Sequence, residues 1–357
     1  MRVGILTFHK AHNYGAVLQA YGLQTMIESL GHKVEFVDYS IPSMLEMYNW
    51  KQGIRSIVNR YFFTKGIVKL VKLLMKKKRY NRFQHFIKQH LKESNNGTDK
   101  LDDEFDVIIV GSDQVFNANI TGGVNNAYWG VLPSFSKRLI TYAASTRPYT
   151  PTEEQSADIK HHLKRFSALS VREPYTADFL RPYTNENIKI VLDPTLLLSQ
   201  EQWELIVAKP QLSQPYMFYY YINSNDCDLD YANFIAKEKG LKLVVIGCYN
   251  KLYSSTISFS AGPSEFLSWI KHAEYVLTSS FHCTVFSIIF NKQFNVLPIR
   301  GKKDYRVSSL LSTFDLSDRM IVDGKCSNNE IEKWCSINEK LATIKKESIA
   351  YLIANII

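Results

Sequence analysis

The sequence predicts an α/β protein of two successive Rossmann-like domains facing each other across a cleft. Three observations carry that expectation. Short apolar runs alternate with stretches of helical period, the pattern of parallel strands joined by crossover helices. Most of those runs end in small or polar residues, as strands do where an open α/β sheet presents its carboxyl edge to a ligand. A chain of 357 residues is also too long for one ordinary core and suits two.

The elements follow in order. Residues 3–8 form an apolar strand run, and 9–15 are polar and turn-like. Residues 16–30 carry Val17, Leu18, Tyr21, Leu23, Ile27 and Leu30 at helical spacing. Gly31 and His32 end that helix, and 33–38 return as a strand, which completes a βαβ unit. Further strands are expected at 105–110, 138–145, 166–173 and 188–195. The first of these runs straight into Gly111, Ser112, Asp113 and Gln114.

A second set begins with a strand at 216–222 and a helix at 230–239. A strand at 243–247, a short helix at 263–272 and a strand at 275–280 come next. A helix at 283–290, a strand at 294–298 and a final helix at 331–357 complete it. The expected division is an N-terminal domain over 1–195 with a basic helical insertion at 45–95, and a C-terminal domain over 196–330. The helix 331–357 is expected to pack back on the N-terminal domain.

Composition narrows the function. Hydrophobic residues at 45% and charged residues at 22% describe a globular chain rather than a disordered one. Five widely spaced cysteines without a Cys-x-x-Cys pair favour neither a disulfide framework nor a zinc site, and no metal is expected. The first residues do not read as a signal peptide, and no run approaches the roughly 20 apolar residues of a membrane span. The expected compartment is the cytoplasm.

The net charge of +9 is local. Residues 51–92 hold thirteen Lys or Arg and no acid, and removing them leaves −4 for the rest. Apolar residues interleave with those lysines, so peripheral contact at the inner face of the membrane is one expectation. A helical excursion with a solvated cationic face is the alternative. Nucleic acid has no other support. Dinucleotide, P-loop, zinc-protease and α/β-hydrolase motifs are all missing.

The strongest chemical signal is Ser279, Ser280, Phe281 and His282 between a strand and a helix. Small residues and a helix N-terminus offer backbone N–H groups to an anion, and a histidine there can give a proton near neutral pH. Helix capping is the alternative. Arg172 at a strand end can bind a carboxylate or phosphate, or else pair with Glu173 or Asp178. Arg306, just before an apolar helix, is a weaker cation of the same kind. Asp113 can serve as a base toward a sugar hydroxyl or as an N-cap. Asn13, Tyr14 and Gly15 after the first strand, with Ser112, Gln114 and Ser145, are expected to line the cleft or hold an acceptor.

These stretches, taken in order, resemble the polysaccharide pyruvyl transferase family. The likeness lies in Gly4 to His9 with Asn13 to Tyr21, Val110 to Asn117, Tyr142 to Ser145, Ser170 to Glu173, Val191 to Leu197, and Thr278 to Ser287. The resemblance implies a fold similar to the GT-B glycosyltransferases. It also implies phosphoenolpyruvate as a co-substrate without a separate cofactor, and a sugar acceptor closed into a pyruvate ketal. It sets Arg172 and His282 at the donor's carboxylate and phosphate, with Ser279, Ser280, Phe281 and Arg306 around the donor. The acceptor is expected to be an oligosaccharide, free or lipid-linked. Cys283 departs from the family's usual Gly, and its Cβ is expected to crowd a backbone that approaches phosphate. The rival readings are a nucleotide-sugar glycosyltransferase and a non-catalytic glycan- or lipid-binding member of an export complex.

Overall fold

A computed structural model describes residues 1–53, 65–210, 212–222, 228–246, 256–299, 305–322, 324 and 330–356, with backbone alone at 52, 53, 65–72 and 256–259. The chain forms two compact units. One comprises Met1–Met47, Ile87–Leu198 and Asn338–Ile357, the other Tyr48–Phe86 and Ser199–Ile337.

In the first unit, β1 (Arg2–Leu6), β2 (Lys33–Phe36), β3 (Val107–Val110) and β4 (Arg138–Thr141) form a parallel sheet in the order β2-β1-β3-β4. β5 (Leu169–Val171) and β6 (Ile188–Ile190) pair in parallel, and bridges from Ile140 to Ala168 and from Ala144 to Val171 tie them to β4. Every residue of β3 is buried, so its sequence is continuously apolar rather than alternating.

Helix Tyr14–Ser29 starts two residues earlier than its apolar period indicates, because Asn13 caps it. The Asn13 side chain accepts the N–H groups of Gly15 and Ala16 at 2.9 and 3.3 Å. On the same helix Gly22 permits a close crossing, since a Cβ there would stand 2.8 Å from the Pro194 carbonyl oxygen. From Asn338 onward the C-terminal helix Trp334–Ile356 belongs to this unit. The Leu192 N–H donates to Ser348 Oγ at 3.0 Å, Tyr351 donates its hydroxyl to the Thr141 carbonyl at 3.0 Å, and Leu352 is fully buried.

The second unit holds one parallel sheet in the order β11-β10-β7-β8-β9. It is built from β7 (Tyr216–Tyr220), β8 (Lys242–Ile246), β9 (Thr256–Phe259), β10 (Tyr275–Thr278) and β11 (Gln293–Val296). β9 is absent from the sequence reading, because four residues at a sheet edge carry too little period to read. The helix expected at 283–290 spans Phe281–Ile289, which moves His282 from the loop into the first helical turn.

The basic segment also differs from expectation. The sequence reading places 45–95 as an insertion of the first domain, whereas Tyr48–Phe86 groups with the second unit. Within helix Lys65–His90 the physical reason is visible. Ser260 Oγ donates to the Met75 carbonyl at 2.9 Å, Arg82 pairs with Glu265 at 3.2 Å, and Phe83 is fully buried. The stretch 54–64 lies outside the described residues.

Both sheets have a topological switch point. In the first unit the chain runs from β1 to β2 on one side and then returns to β3 on the other. In the second it runs β7, β8, β9 on one side of β7 and then places β10 on the other. Open α/β sheets bind ligands at the carboxyl ends of the strands flanking such a point. The loops after β1 and β3, and the turn after β10, occupy those positions.

Candidate active site

In the second unit the chain leaves β10 into Ser279 and Ser280 and enters helix Phe281–Ile289. Thr278 Oγ1 donates to the Tyr220 carbonyl at 2.6 Å and receives the Ser280 N–H at 3.0 Å. Ser279 Oγ receives the Ile222 N–H at 3.0 Å, so the turn is fixed to the end of β7 across the switch point. Ser280 caps the helix, its hydroxyl accepting the Cys283 N–H at 3.4 Å. The helix therefore points its partially positive end at the carboxyl edge of the sheet.

His282 lies in that first turn, buried, with its ring 5.0 Å from the Phe281 ring and edge-on to it. Arg306 is the second residue of helix Tyr305–Thr313 and is buried to 7% exposure. Its guanidinium carbon stands 6.0 Å from the Phe281 ring centroid. A helix N-terminus, an imidazole and a guanidinium thus share one neighbourhood around Phe281. That set can bind an anion and deliver a proton to it.

Cys283 follows His282 in the same turn. It is fully buried, and burial pushes its thiol up to about 12 despite a hydrogen bond with Thr278.

The first unit gathers a different set. Asp113 follows β3 with a left-handed φ of 75° and is half-buried, its Oδ1 accepting the Gln114 N–H at 2.8 Å. It is no helix cap. The next helix, Ala118–Thr121, is capped by Asn117, and Asn117 Nδ2 donates to Gln114 Oε1 at 2.8 Å. Gln114 therefore orients a cap. Ser112 and Ser145 are fully buried, and their hydroxyls meet no hydrogen-bond partner among the described residues. The Ser145 N–H donates to the Asp113 carbonyl at 3.0 Å.

Arg172 is the largest revision. Its Nε donates to Glu173 Oε1 at 2.5 Å and its Nη1 to Asp193 Oδ2 at 2.6 Å, all three side chains being almost wholly buried. Burial opposes the charge, but Glu173, Asp193 and Asp113 outweigh it and raise the guanidinium pKa. Asp193 Oδ1 in turn accepts from the Thr195 backbone N–H and hydroxyl at 2.9 and 2.6 Å. An arginine held by two buried carboxylates is an internal tie. Arg172 thus forms the kind of ion pair that stands as the alternative to donor binding, with Asp193 in the place of Asp178. Asp178 instead pairs with Arg181 at the surface.

Asn13, Tyr14 and Gly15 form the start of their helix; Tyr14 and Gly15 are buried and Asn13 is occupied as the cap. The sequence reading misses their neighbour His9. That ring is 1% exposed and stacks on Phe36 at 4.8 Å. Its Nδ1 lies 3.1 Å from the Thr7 carbonyl and its Nε2 3.0 Å from Glu93 Oε1. Lys10 bridges Glu93 and Asp38 at 2.5 Å each. Thr7 Oγ1 donates to the Ser112 carbonyl at 2.8 Å, which links this cluster to the Asp113 turn. Glu93 lies 84 positions from His9, so no local pattern announces the pair.

Comparison with solved structures finds likeness along the whole chain. A Listeria monocytogenes protein assigned as a UDP-N-acetylglucosamine 2-epimerase matches with a TM-score of 0.51 at 9% identity, over 99% of this chain and 95% of that one. A UDP-GlcNAc 2-epimerase of Methanocaldococcus jannaschii gives 0.48 at 12%, over 97% and 92%. A glycosyltransferase of Streptomyces nogalater gives 0.43 at 12%, over 99% of both chains. At these identities the first likeness shows the fold alone, an α/β pair of Rossmann-like units of the GT-B type. No curated protein matches the chain. A sequence profile described as polysaccharide pyruvyl transferase matches residues 13–299.

Proposed function

The chain belongs to the polysaccharide pyruvyl transferase family and is a transferase, and from that premise we propose that it moves the pyruvyl group of phosphoenolpyruvate onto a sugar of a surface polysaccharide or its precursor. The observation that carries the reading is the neighbourhood of His282, Ser280 and Arg306 around Phe281, at the switch point of the second unit. Phosphoenolpyruvate carries a phosphate and a carboxylate on an enol ether carbon. A helix N-terminus and a guanidinium suit its anionic groups. An imidazolium suits the step that makes the carbon electrophilic.

In the proposed mechanism His282 protonates the methylene carbon C3, and the charge that develops at C2 is met by a sugar hydroxyl. The proton of that hydroxyl passes to a base. The C2–O bond to phosphate then breaks, and a second hydroxyl of the same sugar closes the ketal on C2. Two hydroxyl protons are released; one balances the proton given to C3, and the other leaves with inorganic phosphate. Arg306 and the capped helix end hold phosphate as charge shifts onto it. The reading takes no separate cofactor and assigns Arg172 to fixing Glu173 and Asp193. We place the acceptor among oligosaccharides, lipid-linked ones included, and the enzyme in the cytoplasm in a capsule or exopolysaccharide route. No helix among the described residues is long and apolar enough to cross a membrane.

The test is release of phosphate from phosphoenolpyruvate with free or lipid-linked oligosaccharides present, followed by mass analysis. The expected product carries one pyruvate joined with loss of water. Acceptor-dependent turnover of a nucleotide sugar, with none of phosphoenolpyruvate, would overturn the reading and favour a glycosyltransferase.

A further inference from the structure

A cavity of about 500 Å³ opens within the first unit, between the starts of β5 and β6 and the last turns of helix Trp334–Ile356. Small-ligand pockets span roughly 300–1,000 Å³, so its size suits one. Ser167 and Ala168 precede β5, and Glu186 and Asn187 precede β6, which sets the cavity at the amino edge of the parallel strands. The loops after β1 and β3 leave their sheet at its carboxyl edge, where open α/β folds hold substrates. The cavity is therefore separate from the switch point of this unit.

Its lining has two characters. Ala168, Leu169, Ala350, Ala354 and the body of Tyr351 make the apolar part. Ala350 and Ala354 stand four positions apart on one helix, hence on the same face, and their small side chains let a flat body come close. The Tyr351 hydroxyl donates to the Thr141 carbonyl at 3.0 Å, so Tyr351 offers the cavity its ring. Glu186, Asn187, Lys189 and Glu347, all exposed, make the polar part. Lys189 is the one cation in the described lining, against two carboxylates, and it already stands 4.0 Å from Glu347.

These features select among ligands. A phosphate or carboxylate ligand meets more negative charge than positive, and repulsion disfavours it. A wholly apolar ligand would cover the amide and the charges without replacing their hydrogen bonds to water. A compact cation would leave the methyl groups and the ring unused. A neutral pyranose matches both parts: one face carries C–H groups that lie on methyls and an aromatic ring, and its edge carries hydroxyls for an amide and carboxylates.

We infer that this cavity is a non-catalytic binding site for a short neutral saccharide. Ala350, Ala354 and Tyr351 lie beneath the sugar ring, and Glu186, Asn187 and Glu347 take its hydroxyls. The site goes beyond the pyruvyl-transfer reading, and its chemistry does not depend on that reading. Only its use does: a second hold on a polymeric acceptor raises the local concentration of sugar around the enzyme.

The test is isothermal titration of the full chain with maltotetraose, cellotetraose and chitotetraose, backed by saturation-transfer NMR. At least one is expected to bind at millimolar concentration. The variant A350L/A354L fills the cavity from two exposed positions, and leucine keeps the helix. It is expected to melt as the parent does and to bind on the order of tenfold more weakly, as is N187A. H282Q is expected to bind the saccharide as the parent does. No binding by any of the three sugars, equal binding by A350L/A354L, or loss of binding in H282Q would each overturn the proposal. So would a parent that sediments as a dimer beside a monomeric A350L/A354L, which gives the cavity to a second copy. Failure of the pyruvyl-transfer reading shows separately, as a chain that binds saccharide and releases no phosphate from phosphoenolpyruvate.

Discussion

At the scale of single residues, similar side chains do opposite things because of what lies beside them. Arg172 and Arg306 are both buried arginines near strand or helix ends. The Arg172 guanidinium pairs with Glu173 and Asp193, and that of Arg306 lies over the ring beside His282. Replacing Arg172 with Ala leaves two carboxylates buried without their cation. The expected result is a loss of about 3–5 kcal/mol of stability in urea denaturation; a drop in activity at unchanged stability would return Arg172 to the donor. His282→Gln, by contrast, is expected to keep the melting temperature and lower pyruvyl transfer on the order of a hundredfold or more. Cys283 gives a pH-dependent check. With its thiol pushed up to about 12 by burial, almost none is thiolate at pH 8, and thiolate gains only as pH rises toward that value. Under native conditions iodoacetamide at pH 8 is expected to label the exposed Cys335 and spare Cys283, as read by peptide mass.

At the scale of elements, capping and close approach decide where helices begin and how they cross. Asn13, Asn117, Ser199 and Ser280 each supply the side chain that accepts a first-turn N–H. Such residues are legible in the sequence because the interaction spans two or three positions. The Ser280 cap is what draws His282 into the helix; the apolar period begins later and cannot report it. Gly22 shows the other limit. By propensity, Gly to Ala in mid-helix favours the helix by about 1 kcal/mol. Here the added Cβ would meet the Pro194 carbonyl oxygen at 2.8 Å. Gly22→Ala is therefore expected to destabilise the protein by about 1–3 kcal/mol in chemical denaturation, the cost of overpacking. A stabilised variant would mean that the crossing relaxes.

At the scale of the molecule, the two units are each closed by segments distant in sequence. Residues 338–357 complete the first unit, where Ser348 and Tyr351 accept from and donate to backbone groups of Leu192 and Thr141. Ending the chain at 337 strips those partners from a buried backbone and exposes the surface that Leu352 covers. Hydrogen exchange of such a truncation is expected to accelerate across β4, β5 and β6 while β7, β8 and β10 keep their protection. Uniform loss of protection would show that the two units unfold as one.

The sequence by itself determined the α/β class, nearly all the strands, the ordered family motifs and the strand–turn–helix at His282, since all of these rest on period, capping and short spacing. It did not determine which charges remain available. The parallel register that pairs Val171 with Ile190 brings the residues after β5 and β6 side by side, and so delivers Asp193 to Arg172. Sheet topology likewise sets Glu93 against His9, and the packing of helix Lys65–His90 buries Phe83 and Phe86 while Lys76, Lys77 and Lys78 stay exposed. Neutralisation of a buried charge depends on neighbours chosen by tertiary pairing, at separations where no local pattern in the chain can encode them.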